Sequence, residues 1–172
     1  DLDRAFVVEA PNQVWATDIT YIWTRSGWVY LVVILDLHAR VVVGWDVSTC
    51  ANSELVLSAL LKAVFRRRPG RGVLLHSDQG CQYTSHAWKE VATTMGFRLS
   101  MSGRGQCWDN APVESWNGIL KRESRVTRTL LDGIDQVRDV LFPWIEGWYN
   151  TRRRHSTLGY LSPAEFERKW AA

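Results

Sequence analysis

Three stretches near the N-terminus are dense in β-branched and aromatic residues, and each ends at a turn signal. Residues 14–23, 28–36 and 41–48 therefore predict strands, with Ser26-Gly27 and Ala39-Arg40 as the turns between them. Such short connections leave only an antiparallel meander. The period then changes. Ala51-Asn52-Ser53 caps a helix over residues 54–65, whose Leu55, Leu57, Leu60, Leu61 and Val64 form a broad apolar face. A basic turn over residues 66–72 leads into a fourth strand, 72–76, reached by helical crossover and so parallel to its neighbour. Thr84-Ser85 opens a helix to about residue 95, and residues 97–101 predict a fifth strand. Gly103 and Gly105 around Arg104 read as a flexible loop. Helices follow over 111–125, over 134–149 with Pro143 as an expected kink, and over 164–170 behind Ser162-Pro163. The pattern amounts to an α/β fold: a five-stranded mixed sheet, three antiparallel strands then parallel ones, with helices on both faces. Residues 1–12 read as a lead-in or linker, and residues 13–172 as one domain with a helical tail from about residue 132.

Three acids fall at informative places in this plan. Leu74-Leu75-His76-Ser77-Asp78-Gln79-Gly80 is a short apolar run that ends in an acid and then a glycine, so Asp78 emerges at a strand end. Asp109 or Asn110, followed by Pro112, marks a helix start and puts Glu114 in its first turn. Asp18 lies inside an apolar strand, where an unpaired carboxylate is costly and calls for a partner or a metal. Several carboxylates converging from different elements are what divalent cations acting on phosphate require. Each acid also has a plain structural reading, as a neighbour-bonded strand Asp, a turn Asp and a helix-start Glu favoured by the dipole. Asp36 and Asp46 are decoys, explained by turn capping and by a solvent-facing strand position.

Charge adds a partner class. Residues 1–60 carry three Lys or Arg against seven Asp or Glu, whereas residues 61–172 carry eighteen against eleven. Basic clusters at Lys62 to Arg71, Lys121 to Arg128 and Arg152-Arg153-Arg154 favour a polyanion such as DNA. Three cysteines without Cys-x-x-Cys spacing argue against a disulfide framework, and the four histidines do not fall at zinc-site spacing. No apolar run is long enough for a membrane span, so the sequence reads as soluble and cytoplasmic. Ten tryptophans are many for 172 residues; Trp15, Trp23, Trp28 and Trp45 are expected in the core.

Four motifs in order carry a family resemblance. Trp15-Ala16-Thr17-Asp18-Ile19-Thr20-Tyr21, then His76-Ser77-Asp78-Gln79-Gly80-Cys81-Gln82-Tyr83, then Gly105-Gln106-Cys107-Trp108-Asp109-Asn110-Ala111-Pro112-Val113-Glu114, resemble the first, second and third acid motifs of bacterial insertion-sequence transposases of the IS-three type. The tail, residues 149–160 with Ser162-Pro163, resembles their C-terminal signature. These transposases belong to the DDE transposase and retroviral integrase superfamily. The resemblance implies a ribonuclease-H-like fold and a core that cleaves and joins DNA strands. It implies Asp18, Asp78 and Glu114 as catalytic residues and metal ligands, with Asp18 bridging two Mg²⁺ ions and Mn²⁺ as a substitute. It places a basic DNA contact at Lys121, two turns beyond Glu114. Arg122, Asn117, Arg104, Gln79, Gln82 and Asn110 are further candidate DNA contacts. Relatives usually carry a DNA-end-binding helix-turn-helix region before the core; this chain has about a dozen residues there, so it is expected to bind DNA weakly and without sequence preference. Joining two DNA ends implies at least a dimer in the working complex. A hydrolytic nuclease of the same fold, or a non-catalytic DNA-binding remnant, are the competing readings.

Overall fold

The structure is a computed structural model and describes residues 8–101 and 110–172. Three long strands, β1 (Val14–Thr24), β2 (Gly27–Asp36) and β3 (Val41–Ser48), form the antiparallel meander. Helix α1 (Ser53–Arg67) crosses over to β4 (Leu74–Ser77). A single helical turn, α2 (Cys81–Thr84), and helix α3 (His86–Thr94) then lead to β5 (Arg98–Met101). The sheet order is β3-β2-β1-β4-β5, with β4 parallel to both β1 and β5. Helices α4 (Ala111–Glu123), α5 (Ile134–Phe142) and α6 (Pro163–Trp170) complete the chain.

Alternation along the strands divides the core in two. Ala16 and Ile22 of β1, with Leu31, Val33 and Leu35 of β2, face α4 and α5. Trp15 of β1, with Val32 and Ile34 of β2, faces α1 and α3. Helices thus cover both faces, as the sequence pattern requires. At Gly44 of β3 the sheet and α1 nearly touch: a Cβ there would stand 2.5 Å from the Ala59 carbonyl oxygen and 2.7 Å from the Ala63 Cβ.

Local chemistry sets the boundaries. Asn52 caps α1 by accepting from the Leu55 N–H, Ser85 caps α3 from Trp88, and Ser162 with Glu165 forms a reciprocal capping box on α6. The turn between β1 and β2 falls at Arg25-Ser26, one residue earlier than expected. Gly27 then enters β2 at φ 110°, a conformation that favours glycine. Pro143 does not break its helix. Lacking an N–H, it marks the point where the helix widens into a π-helical segment, Pro143–Tyr149, whose last bond runs from Asn150 N–H to the Ile145 carbonyl.

Three expectations need correction. Trp23 and Trp28 are not core residues; they stand 55% and 47% exposed beside the hairpin tip, past the end of the covering helices. Asp46 does not face solvent freely: its carboxylate accepts from Ser58 and pairs with Lys62 at 2.8 Å. Asp36 caps its turn through the His38 N–H but is wholly buried, held also by the Asn12 N–H at 2.7 Å and by Arg67 at 3.4 Å.

Candidate active site

Strand register brings the first two acids together. The β1–β4 ladder pairs Val14 with Leu74, Trp15 with Leu75 and Ala16 with His76, and stops there. Beyond that point the strands part, with Asp18 and Asp78 at the same end of the sheet and near enough for the Asp78 charge to raise the Asp18 pKa. The third acid arrives on α4. Val113, Trp116, Asn117 and Leu120 recur at helical spacing and turn inward onto β1. The Asn117 amide donates to Asp18 Oδ2 at 2.8 Å. Glu114 lies one turn before Asn117 on the same face, so it is presented toward Asp18 from the helix's first turn.

The surroundings fix these groups in place. The Gly80 N–H donates to Asp78 Oδ1 at 2.9 Å and closes the turn after β4. A Cβ at Gly80 would lie 3.0 Å from that oxygen and 3.0 Å from Gln82 Oε1, so a side chain there would push on both. Beneath the acids, the buried Tyr83 hydroxyl meets Thr17 Oγ1 at 3.1 Å. Burial, with Asp18 and Asp78 nearby, pushes the Tyr83 phenol far above its ordinary value, so it stays neutral. The start of α4 is tied to β1 by the Asn110 amide, which donates to the Thr17 carbonyl at 3.2 Å.

Electrostatics mark Asp18 as the centre. Its pKa is raised to about 6, first by burial and then by the negative charges of Asp78 and Glu114; the Ile19 N–H and the Asn117 amide oppose the rise. Among the described residues, no lysine or arginine pairs with any of the three. Nor do any three His, Cys, Asp or Glu side chains there converge tightly enough to enclose an ion. The acids are open to solvent, with Asp78 and Glu114 exposed and Asp78 held by the Gly80 N–H. Hard carboxylate oxygens in excess of positive charge are a fitting donor set for a divalent cation of the magnesium type.

The remaining candidates separate by position. Lys121 is exposed and holds its ammonium 5.5 Å from the Tyr21 ring centroid. Arg122 is exposed beside Gly118, and Gln79 is exposed next to Asp78. Gln82 donates to the Ala51 carbonyl at 2.8 Å, bracing the turn against the start of α1. Asn117 and Asn110 are buried and turned onto β1. Arg104 lies outside the described residues. The tail arginines are partly structural, for Arg153 grips Glu123 through two bonds of 2.8 and 2.9 Å. Sequence reasoning gave Tyr83 no role and read Asn117 as a DNA contact. The inward phase of Val113, Trp116 and Leu120 was the signal that Asn117 faces the sheet.

A five-stranded sheet in this order, with acids where β1 and β4 part and on the facing helix, defines a ribonuclease-H-like protein. The chain belongs to the integrase core domain family, whose models match residues 8–107 and 95–163. It is 42% identical over 168 residues to "Transposase InsF for insertion sequence IS3A" of Escherichia coli (strain K12), covering 98% of this chain and 58% of that one. It is 40% identical to "Insertion element IS600 uncharacterized 31 kDa protein" of Shigella sonnei, over 98% of this chain and 62% of the relative. The chain thus spans about three-fifths of these curated relatives. Among solved structures, the HTLV-2 integrase catalytic core domain in complex with magnesium (trimeric form) superposes with TM-score 0.70 at 18% identity, over 91% of this chain and 97% of that one. A chain of the simian T-cell lymphotropic virus intasome gives 0.75 at 19% identity, over 94% and 56%. At such identities the superpositions speak for the fold. No helix among the described residues is long and apolar enough to cross a membrane.

Proposed function

We propose that this chain is the catalytic core of a DNA transposase, which cuts and joins DNA strands by metal-dependent phosphoryl transfer at Asp18, Asp78 and Glu114. The observation that supports the reading is the parallel β1–β4 pairing, which ends just before Asp18 and Asp78, together with the bond to Asp18 from Asn117 of the helix that carries Glu114. Asp18, Asp78 and Glu114 would hold the divalent cations, with Asp18, which Asn117 of the Glu114 helix bonds directly, as the ligand shared between them. A pair of Mg²⁺ ions, replaceable by Mn²⁺, supplies activation of the attacking oxygen and stabilisation of the leaving one.

The chain's own residues do the positioning. The Asn117 amide fixes one Asp18 oxygen and leaves the other to a ligand. The Gly80 N–H fixes Asp78, and the neutral Tyr83 beneath them keeps water off the buried side. Lys121, two turns along α4 from Glu114, meets a phosphate of the incoming strand. In the reaction, a water oxygen displaces the 3′ oxygen of a phosphodiester and frees a 3′-hydroxyl. That hydroxyl then displaces a 3′ oxygen in a second strand, joining the two. Two ends require at least two copies of the core around the DNA, in the bacterial cytoplasm on chromosomal or plasmid substrates.

The test is an oligonucleotide with a free 3′ end incubated with the chain, a target duplex and Mn²⁺. Joined products that vanish in Asp18→Asn, Asp78→Asn and Glu114→Gln are expected. Hydrolysed strands alone would turn the reading to a nuclease, and no metal-dependent product of either kind would leave a DNA-binding remnant.

A further inference from the structure

The β1–β2 hairpin carries three large aromatic rings on its surface. Tyr21, Trp23 and Trp28 are 57%, 55% and 47% exposed. They are not scattered. Trp28 stands edge-on to both others, with centroids 5.1 Å from Tyr21 and 4.8 Å from Trp23. Single exposed apolar residues are ordinary, whereas a contiguous aromatic patch kept in water marks a binding surface. The register that pairs Trp23 with Trp28 and Tyr21 with Tyr30 places all three on the face that α1 and α3 cover farther down the sheet.

The patch is rigid before anything binds. The backbone N–H groups of Arg25 and Ser26 donate to the carbonyls of Leu131 and Asp132 at 2.9 and 3.0 Å. Ser26 Oγ donates to the same Asp132 carbonyl at 2.6 Å, and Arg25 pairs with the Asp132 carboxylate at 3.2 Å. A hairpin tip clamped this firmly loses little entropy when a ligand docks.

Its position identifies the ligand class. Tyr21 is three strand residues beyond Asp18, about 10 Å along β1. Lys121, seven residues and about 10 Å beyond Glu114 on α4, sets its ammonium 5.5 Å from the Tyr21 centroid. The rings lie on the opposite face of β1 from the Asp18 carboxylate and meet the acid site round that strand's edge, which β4 no longer pairs beyond Ala16 and where the Lys121 ammonium marks the border between the two. A ligand that offers flat apolar faces and regularly spaced anions is an unpaired nucleic-acid strand: bases stack on the rings and a phosphate meets Lys121. A duplex keeps its base faces hidden.

Resting on the DNA reading above, we propose that Tyr21, Trp23 and Trp28 form a stacking platform for unpaired bases next to the scissile phosphate. The platform makes this core prefer frayed or single-stranded DNA ends over blunt duplex.

Fluorescence anisotropy, with Ca²⁺ in place of Mg²⁺, tests it on a single-stranded oligonucleotide, an overhanging duplex and a blunt duplex. Trp23→Ala with Trp28→Ala is expected to weaken the first two by about tenfold or more, since each stacked base contributes on that order, and the blunt duplex by less than about twofold. Trp23→Phe with Trp28→Phe should retain most of the affinity, and tryptophan emission of the unaltered chain should be quenched by the single strand and the overhanging duplex but not by the blunt one. Equal losses on all three probes, or no loss, would overturn the platform and leave the DNA reading standing. Light scattering that shows the alanine pair converting a dimer to monomers would also overturn it, in favour of a second copy. A chain that binds none of the probes overturns both readings.

Discussion

Asn150 belongs to the tail signature, yet its side chain works as a substitute strand. β3 is an edge strand, and its Val42 N–H and C=O point away from β2 with no further strand to meet them. The buried Asn150 amide answers both, accepting from Val42 N at 2.8 Å and donating to Val42 O at 3.1 Å. The carbonyl has a second donor, Arg66 at 3.2 Å; the N–H has no other partner among those bonds. Asn150→Leu keeps the volume and removes both bonds. The orphaned N–H costs about 1–3 kcal/mol and the carbonyl, still held by Arg66, about 1 kcal/mol, so the expected loss is about 2–4 kcal/mol. For a chain of this size that is roughly a 6–12 °C fall in Tm, or a matching drop in urea midpoint at constant slope. Arg66→Met alone should cost less than about 1 kcal/mol, because Asn150 then serves the carbonyl. The pair together should lose more than the sum of the two, by 0.5 kcal/mol or more on the usual scale of coupled neighbours, about that size at least. Asn150→Leu within about 0.5 kcal/mol of the unaltered chain, or strict additivity with Arg66→Met, would refute the reasoning.

Gly44→Ala should cost about 1–3 kcal/mol in urea unfolding, because the new methyl meets backbone of α1, and Ala63→Gly should restore part of it. Arg67→Met should cost about 3–5 kcal/mol by leaving the buried Asp36 carboxylate without its cation, and a second change, Asp36→Asn, should recover much of that loss. His155 gives a pH effect. Its pKa falls to about 4, first through burial and then through Arg153 and Arg40, with Glu123 opposing. The unfolded chain therefore binds more protons than the folded one between pH about 6.5 and 4, so stability is complete above that window and declines as pH falls through it. At about 1.4 kcal/mol per unit the full shift is roughly 3 kcal/mol, and water in the cleft beside the ring reduces it to about half. His155→Phe, which retains the edge-on packing against Tyr149, should flatten that slope in pH-dependent melts; an unchanged slope would dispose of the idea.

Much of the fold was legible because its signals are local. Period and turn chemistry placed β1, β2, β3 and α1 within a residue or two, since strand alternation and an Asn52 cap depend on neighbours only. What local signals could not tell was where covering helices stop. Trp23 and Trp28 alternate as inward residues should, and they do lie on the α1 face; they are exposed because α1 does not extend to the hairpin tip. Asp46 was misjudged for a related reason, as Ser58 and Lys62 reach it from α1, a contact invisible from its own strand. Pro143 was read from its missing N–H alone, whereas the helix absorbs that loss by widening a turn.

For the candidate site, the sequence suggests the acids but not the support around them. Asp18 and Asp78 come to one end of the sheet because β4 returns parallel to β1 with an offset of sixty, a fact of pairing rather than of composition. Once that offset is known, the neighbours sort themselves by physics. A carboxylate whose pKa is raised to about 6, first by burial and then by two neighbouring acids, needs a donor on its buried side, and the helix that carries Glu114 also supplies one, at Asn117, a single turn later. That spacing means α4 cannot rotate to withdraw Glu114 without also breaking the Asn117 bond to Asp18. Position of the third acid and restraint of the first are thus one variable, set by the packing of Val113, Trp116 and Leu120 on β1. Glu114 can swing by its own rotamers, yet the backbone that carries it is as fixed as the core beneath.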